Sequence, residues 1–92
     1  MIEPYVSKVK TNLKKAEGQI KLINKMIESE RYCVDVAQQI NACLGLLKQA
    51  NSYILEGHLL SCGAEKLNSK DKAKRLAFVK ELLKAFKLNN NK

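Results

Sequence analysis

Apolar residues near the start of the chain recur in steps of three and four: Val6, Val9, Leu13, Ala16, Ile20, Ile23 and Ile27. That spacing places them along one face of an α-helix and predicts a first helix over about residues 4–27. Pro4 is tolerated in its first turn, where a backbone N–H has no helical partner. Ser29-Glu30-Arg31 breaks the pattern and reads as a tight connection. A second series follows, Val36, Ile40, Leu44, Leu47, Asn51, Ile54, His58 and Cys62. It predicts a helix over about 33–62, with Asp35 favourably placed in its first turn and Gly63 as its C-terminal cap. Ala64 to Asn68 reads as loop or frayed helix, and Ser69 as the N-cap of a third helix over about 70–87. That helix shows Leu76, Val79, Leu82, Leu83 and Phe86 on one side, and Asn89 to Lys92 forms a polar tail. No segment alternates in the manner of a strand. Residues 1–92 are therefore expected to form a single all-α domain of three helices.

Three residues of the second series carry chemistry. His58 and Cys62 are four residues apart, so a continuous helix would present both on one face. Cys33 precedes His58 by twenty-five positions, or roughly 37 Å along a helix. One chain cannot bring all three onto one ion, but two chains can. If the long helices pair antiparallel, Cys33 of one protomer meets His58 and Cys62 of its partner. The two-fold axis then passes between Leu46 and Leu47, with Gly45 beside it and Cys43 packed against the partner's Ala50. Two thiolates and an imidazole form a soft donor set that suits Cu(I) first and Zn(II) second. Cys43 is expected to be a packing residue, since small buried thiols behave as hydrophobes.

Composition narrows the function. Seventeen Lys and Arg stand against nine Asp and Glu, for a formal net charge of +8, which fits a polyanionic partner such as nucleic acid. No apolar run reaches membrane-spanning length, and Met1-Ile2-Glu3-Pro4 lacks a signal-peptide layout, so a soluble cytoplasmic protein is expected. Three cysteines are too few and odd for a secreted disulfide framework. A single histidine, with no nucleophile arrangement and no glycine-rich phosphate loop, argues against an enzyme.

The segments Leu13-Lys14-Lys15-Ala16-Glu17-Gly18-Gln19-Ile20-Lys21, Met26-Ile27-Glu28, Arg31-Tyr32-Cys33-Val34-Asp35-Val36 and Leu55-Glu56-Gly57-His58-Leu59-Leu60-Ser61-Cys62 resemble the copper-sensitive operon repressor family and its nickel/cobalt, formaldehyde and persulfide relatives. The resemblance runs from about Leu13 to Phe86. It implies an antiparallel helical dimer, assembled as a dimer of dimers, that binds operator DNA without metal and is released by Cu(I), derepressing efflux genes. Cys33, His58 and Cys62 match the copper members' Cys-His-Cys triad. Nickel/cobalt members recruit further histidines, formaldehyde members lack the last Cys, and persulfide members lack the His. By the same resemblance, Tyr32 supports the metal site by hydrogen bonding toward His58, and Glu81 is the candidate for a carboxylate of that network. Lys8, Lys14, Lys15 and Lys21 of the first helix are the implied DNA contacts.

Two positions depart from the family pattern. Asn12 stands where an Arg is common, and a second Arg usual in helix 2 is missing, with Leu44 and Gln49 in that stretch. Lysine is a point charge rather than a bidentate fork, so phosphate contact survives this change better than base readout. Two other functions compete with copper sensing: a repressor sensing reactive sulfur through Cys33 and Cys62, and a copper or zinc buffer without a DNA role.

Overall fold

The computed structural model describes residues 1–61 and 63–86. Cys62 lies outside the described residues, as do the expected end of the last helix at residue 87 and the polar tail. The described residues are all helix and connection: α1 (Tyr5–Glu28), α2 (Cys33–Leu59), α3 (Ala64–Leu67) and α4 (Lys72–Ala85).

Glu3 supports the start of α1 by accepting a bond from the Ser7 N–H at 3.2 Å, a carboxylate where the helix dipole favours one. The helix closes with a paired motif. Arg31 N–H donates to the Met26 carbonyl at 2.9 Å and Glu30 N–H to the Ile27 carbonyl at 3.1 Å, which satisfies two carbonyls that the helix end leaves free. This geometry puts Glu30 at φ 56°, a left-handed conformation usually filled by glycine. α2 then starts at Cys33 and runs back along α1.

The seam between α1 and α2 uses only part of the predicted apolar stripes. On α1 the buried positions are Val9, Asn12, Ala16, Ile23 and Met26, whereas Leu13, Ile20 and Ile27 of the same stripe stay exposed. On α2 the buried positions are Cys43, Ala50 and Gly57, each seven residues from the next. These small residues let the two helices approach closely, because interaxial distance is set by the side chains at the contact. At Gly57 an added methyl carbon would lie 3.0 Å from both Cβ and Cγ of Tyr5. Asn12 is 6% exposed and donates from Nδ2 to the Leu46 carbonyl at 3.1 Å and to Gln49 Oε1 at 2.8 Å. It is a buried polar lock between the helices. Cys43 is buried as expected, but by its own chain: it packs with Ala16 and Ile23, and its thiol lies 3.7 Å from the Ala16 carbonyl. The expected contact between Cys43 and a partner's Ala50 is therefore replaced, because both residues are used within the protomer.

The second half departs further from the expectation. α2 ends at Leu59, short of residue 62. Gly63 has φ −83°, so it is no left-handed cap. It is confined by space instead, since a methyl there would lie 2.7 Å from the His58 carbonyl oxygen and 3.0 Å from Phe78 Cζ. The last helix is capped by Asp71 rather than Ser69: its carboxylate accepts from the Ala73 N–H at 2.9 Å, while the Ser69 hydroxyl accepts from the Asp71 N–H at 3.2 Å. A carboxylate is the better acceptor at a helix N-terminus. α4 turns Phe78 inward, at 4% exposure, and leaves Leu76, Val79 and Leu83 outside.

The molecule measures 58 × 30 × 12 Å, and its short dimension is one helix diameter of about 10–12 Å. The radius of gyration is 17.4 Å, against about 12 Å for a compact chain of this length. The protomer is a single layer of helices, whereas a stable core takes two.

Replacing Glu30 with Gly relieves a left-handed side-chain clash of about 1–2 kcal/mol, partly offset by the freer unfolded chain. The Glu30→Gly variant is expected to gain up to about 1 kcal/mol, seen in urea denaturation as a higher midpoint at unchanged slope.

Candidate metal and nucleic-acid sites

Cys33 is the first residue of α2 and an exposed free thiol. Tyr32, the N-cap, is 66% exposed; its carbonyl accepts the Val36 N–H at 3.2 Å. His58 lies at the other end of the helix. At about 1.5 Å per residue, the α2 backbone separates Cys33 from His58 by roughly 37 Å. Within one protomer Cys33 and Tyr32 are therefore remote from His58, and no cluster of three metal-ligating side chains forms among the described residues.

What α2 does achieve is alignment. At about 100° per residue, Cys33, Ile40, Leu44, Leu47, Asn51 and His58 fall within a narrow strip. Ile40, Leu44 and Leu47 of that strip are exposed. The Cys43-Ala50-Gly57 seam lies roughly a quarter-turn away. Gly45 lies off the strip, with nothing within 4 Å of a methyl carbon added there, so a close backbone approach through Gly45 does not belong to this face.

His58 is half-buried against the second half of the chain. Its ring centroid lies 5.7 Å from that of Phe78, tilted by 53°, and its carbonyl accepts the Gly63 N–H at 2.7 Å. Ser61 anchors the same turn by donating its hydroxyl to the Gly57 carbonyl at 2.6 Å. Glu81 of α4 is exposed and shares with His58 and Ser61 the wall of a cleft of about 380 Å³. Phe78 and Gly63 are the residues that the sequence reading missed here. The apolar side assigned to α4 passes Phe78 by, and Gly63 had been assigned to a cap.

The lysines divide. Lys8 and Lys15 border a cleft of about 370 Å³ with Ser7, Thr11, Gln49 and Tyr53, and no carboxylate lines it. The Lys8 ammonium stands 5.8 Å from the Tyr5 ring centroid and 5.3 Å from that of Tyr53, within cation–π range. Lys14 and Lys21, seven residues apart, project from the outer edge of α1, roughly opposite the seam. The four predicted contacts thus occupy two surfaces. Across the seam from the basic cleft, Ile20, Ile23, Ile40 and Leu44 line an apolar groove of about 220 Å³. The layer is basic and polar on one side and apolar on the other. Asn12 also borders the basic cleft, but its amide is spent on α2.

A family profile described as metal-sensitive transcriptional repressor matches residues 5–87. The chain belongs to that family. Over 79 residues it is 37% identical to the copper-sensing transcriptional repressor CsoR of Bacillus subtilis, covering 86% of this chain and 75% of that one. Over 50 residues, 54% of this chain, it is 40% identical to the copper-sensing repressor RicR of Mycobacterium tuberculosis and 44% identical to CsoR of Mycobacterium ulcerans. Those stretches span 52% and 43% of the two mycobacterial proteins. No solved structure matches. Membership makes this an all-helical transcriptional repressor, and no described helix is long and apolar enough to cross a membrane.

Phe78 is the main buried anchor of α4, and its ring meets His58. Phe78→Ala is expected to release α4 while α1 and α2 stay paired. Amide hydrogen exchange should show protection lost across residues 72–85 and kept along the Val9–Met26 seam.

Proposed function

We propose that this chain is a Cu(I)-responsive repressor that binds operator DNA without metal and leaves it on binding Cu(I). The observation that carries the reading is the strip on α2, an exposed apolar face with Cys33 at one end and His58 at the other in a molecule one helix thick. Two copies laid antiparallel along this strip cover Ile40, Leu44 and Leu47. The same pairing sets Cys33 of each protomer beside His58 and Cys62 of its partner. Exposed area supports the need for a partner. The protomer exposes 7147 Å², against about 5,400 Å² for a compact chain of this mass. The excess is about twice the roughly 800 Å² that each partner buries in a standard protein–protein interface.

Two thiolates and one imidazole suit Cu(I), and Zn(II) is the non-cognate ion that the same donors accept. The relatives' copper-sensing names point the same way. Tyr32, next to Cys33, arrives at the partner's His58 by this pairing, and Glu81 reaches the same site from the His58 cleft. Such groups orient an imidazole ligand. The exposed Leu76, Val79 and Leu83 of α4 supply a second apolar face, which pairs dimers into a homotetramer. Lys8, Lys14, Lys15 and Lys21 neutralise DNA phosphates, each such contact steepening the salt dependence of binding. Metal binding and DNA binding then oppose each other by the same factor in both directions.

Complementation between chains tests the inter-protomer site. Cys33→Ser and Cys62→Ser homo-oligomers should each lose tight Cu(I) uptake in an anaerobic chelator competition. An equimolar mixture of the two, refolded together, should recover about a quarter of the sites, because about half of its dimers are mixed and one of the two sites in each mixed dimer is intact. His58→Ala should keep part of the affinity and lose copper-dependent release of DNA. Wild-type copper-dependent release by His58→Ala would overturn the role given to His58, whereas a cysteine cross-linked dimer after exposure to reactive sulfur would favour sulfur sensing through the two cysteines.

A further inference from the structure

A close contact between α1 and α2 lies one residue before the metal-ligand candidate His58. The backbone of Gly57 rests on the Tyr5 side chain so closely that an added methyl carbon would sit 3.0 Å from Tyr5 Cβ and Cγ and 3.1 Å from Cδ2. The Glu56 carboxylate acts electrostatically on the Tyr5 phenol, so Tyr5 is influenced by both residues that precede His58. Tyr5 is linked to the basic cleft through Lys8. Lys8, one turn further along α1, holds its ammonium near the rings of Tyr5 and Tyr53 at 5.8 and 5.3 Å. Lys8 then shares the cleft with Lys15 and Gln49. Contacts run without a gap from the backbone at His58 to a cation on the basic side of the layer.

We propose that Tyr5 is a positioning residue that carries the position of the His58 turn to Lys8, and so links metal occupancy to the basic cleft. This rests on the copper-repressor reading and adds to it the route of the coupling. The geometry explains why the link runs here rather than through the middle of the seam. Asn12 fixes α1 to α2 around Leu46 and Gln49, so movement of the α2 end is taken up beyond that lock. The first rigid group it meets is the Tyr5 ring, and Gly57 leaves no free space between them.

Desolvation raises the Tyr5 phenol above its ordinary pKa, with the Glu56 carboxylate adding in the same direction. The phenol therefore stays protonated at neutral pH.

The test uses full-length protein and a duplex from the promoter of its own gene. Cu(I) affinity, metal-free DNA affinity, and the factor by which Cu(I) weakens DNA binding are measured for wild type, Tyr5→Phe and Glu56→Gln. Tyr5→Phe keeps the ring against Gly57 and Lys8 but removes the hydroxyl on which Glu56 acts. It is expected to keep both separate affinities within about threefold while the coupling factor falls at least fivefold, within the usual range of allosteric coupling. Glu56→Gln retains a neutral acceptor and should fall between Tyr5→Phe and wild type. A purely structural role would lower thermal stability and leave the coupling factor unchanged in both variants, which overturns the proposal. Loss of metal-free DNA binding in Tyr5→Phe would also overturn it, by making Tyr5 a direct contact. If copper fails to release wild-type protein from DNA, the copper-repressor reading fails, and the proposed coupling fails with it.

Discussion

Everything else in this molecule depends on the close seam between α1 and α2. Cys43, Ala50 and Gly57 make the meeting face of α2 shallow, so α1 settles into it with Val9, Ala16, Ile23 and Met26 while the larger aliphatic side chains are left outside. A seam built from Leu44 or Leu47 would have consumed the apolar surface that now remains available. Asn12 adds registry rather than hydrophobic energy. Its two bonds to α2 exist only in one alignment of the helices, and a slipped pairing would bury an unsatisfied amide at a cost of about 1–3 kcal/mol.

The narrow seam produces a layer with two unlike sides. One carries Ile20, Ile40 and Leu44, the other Lys8, Lys15, Gln49 and Tyr53. A protomer with this division has an obvious use for each side: the apolar one for a second copy, the basic one for a polyanion. The same arrangement places two ligand candidates at opposite ends of one strip, where only a symmetric antiparallel pairing can use them. In the proposed reading, metal affinity, oligomer formation and DNA contact draw on three regions of the same helix pair, and the Tyr5 contact with Gly57 lies where they adjoin.

The C-terminal third is held by fewer and more specific contacts. Phe78 against His58 and Gly63 fixes α4 beside the end of α2, and this brings Glu81 to the His58 cleft. An aromatic ring packed on a candidate ligand limits the orientations that its imidazole can adopt. In the proposed copper site, α4 contributes through this packing as well as through the Glu81 carboxylate.

Much of this was legible in the chain alone. The three-four spacing of apolar residues determined that the chain is helical and roughly where α1 and α2 lie, because helical periodicity is a local property. The separation of Cys33 from His58 determined that one protomer could not complete the site, because a helix has a fixed rise. Which half of each stripe faces the neighbouring helix was decided only by the tertiary structure. Leu13 and Ala16 are equally apolar in a pattern, and steric fit to Cys43, Ala50 and Gly57 separates them. The burial of Asn12, the spatial constraint on Gly63, the choice of Asp71 over Ser69 and the inward turn of Phe78 likewise depend on atoms distant in sequence or on competition between neighbouring caps. Periodicity records which residues avoid water, whereas packing selects the partner that shields each one.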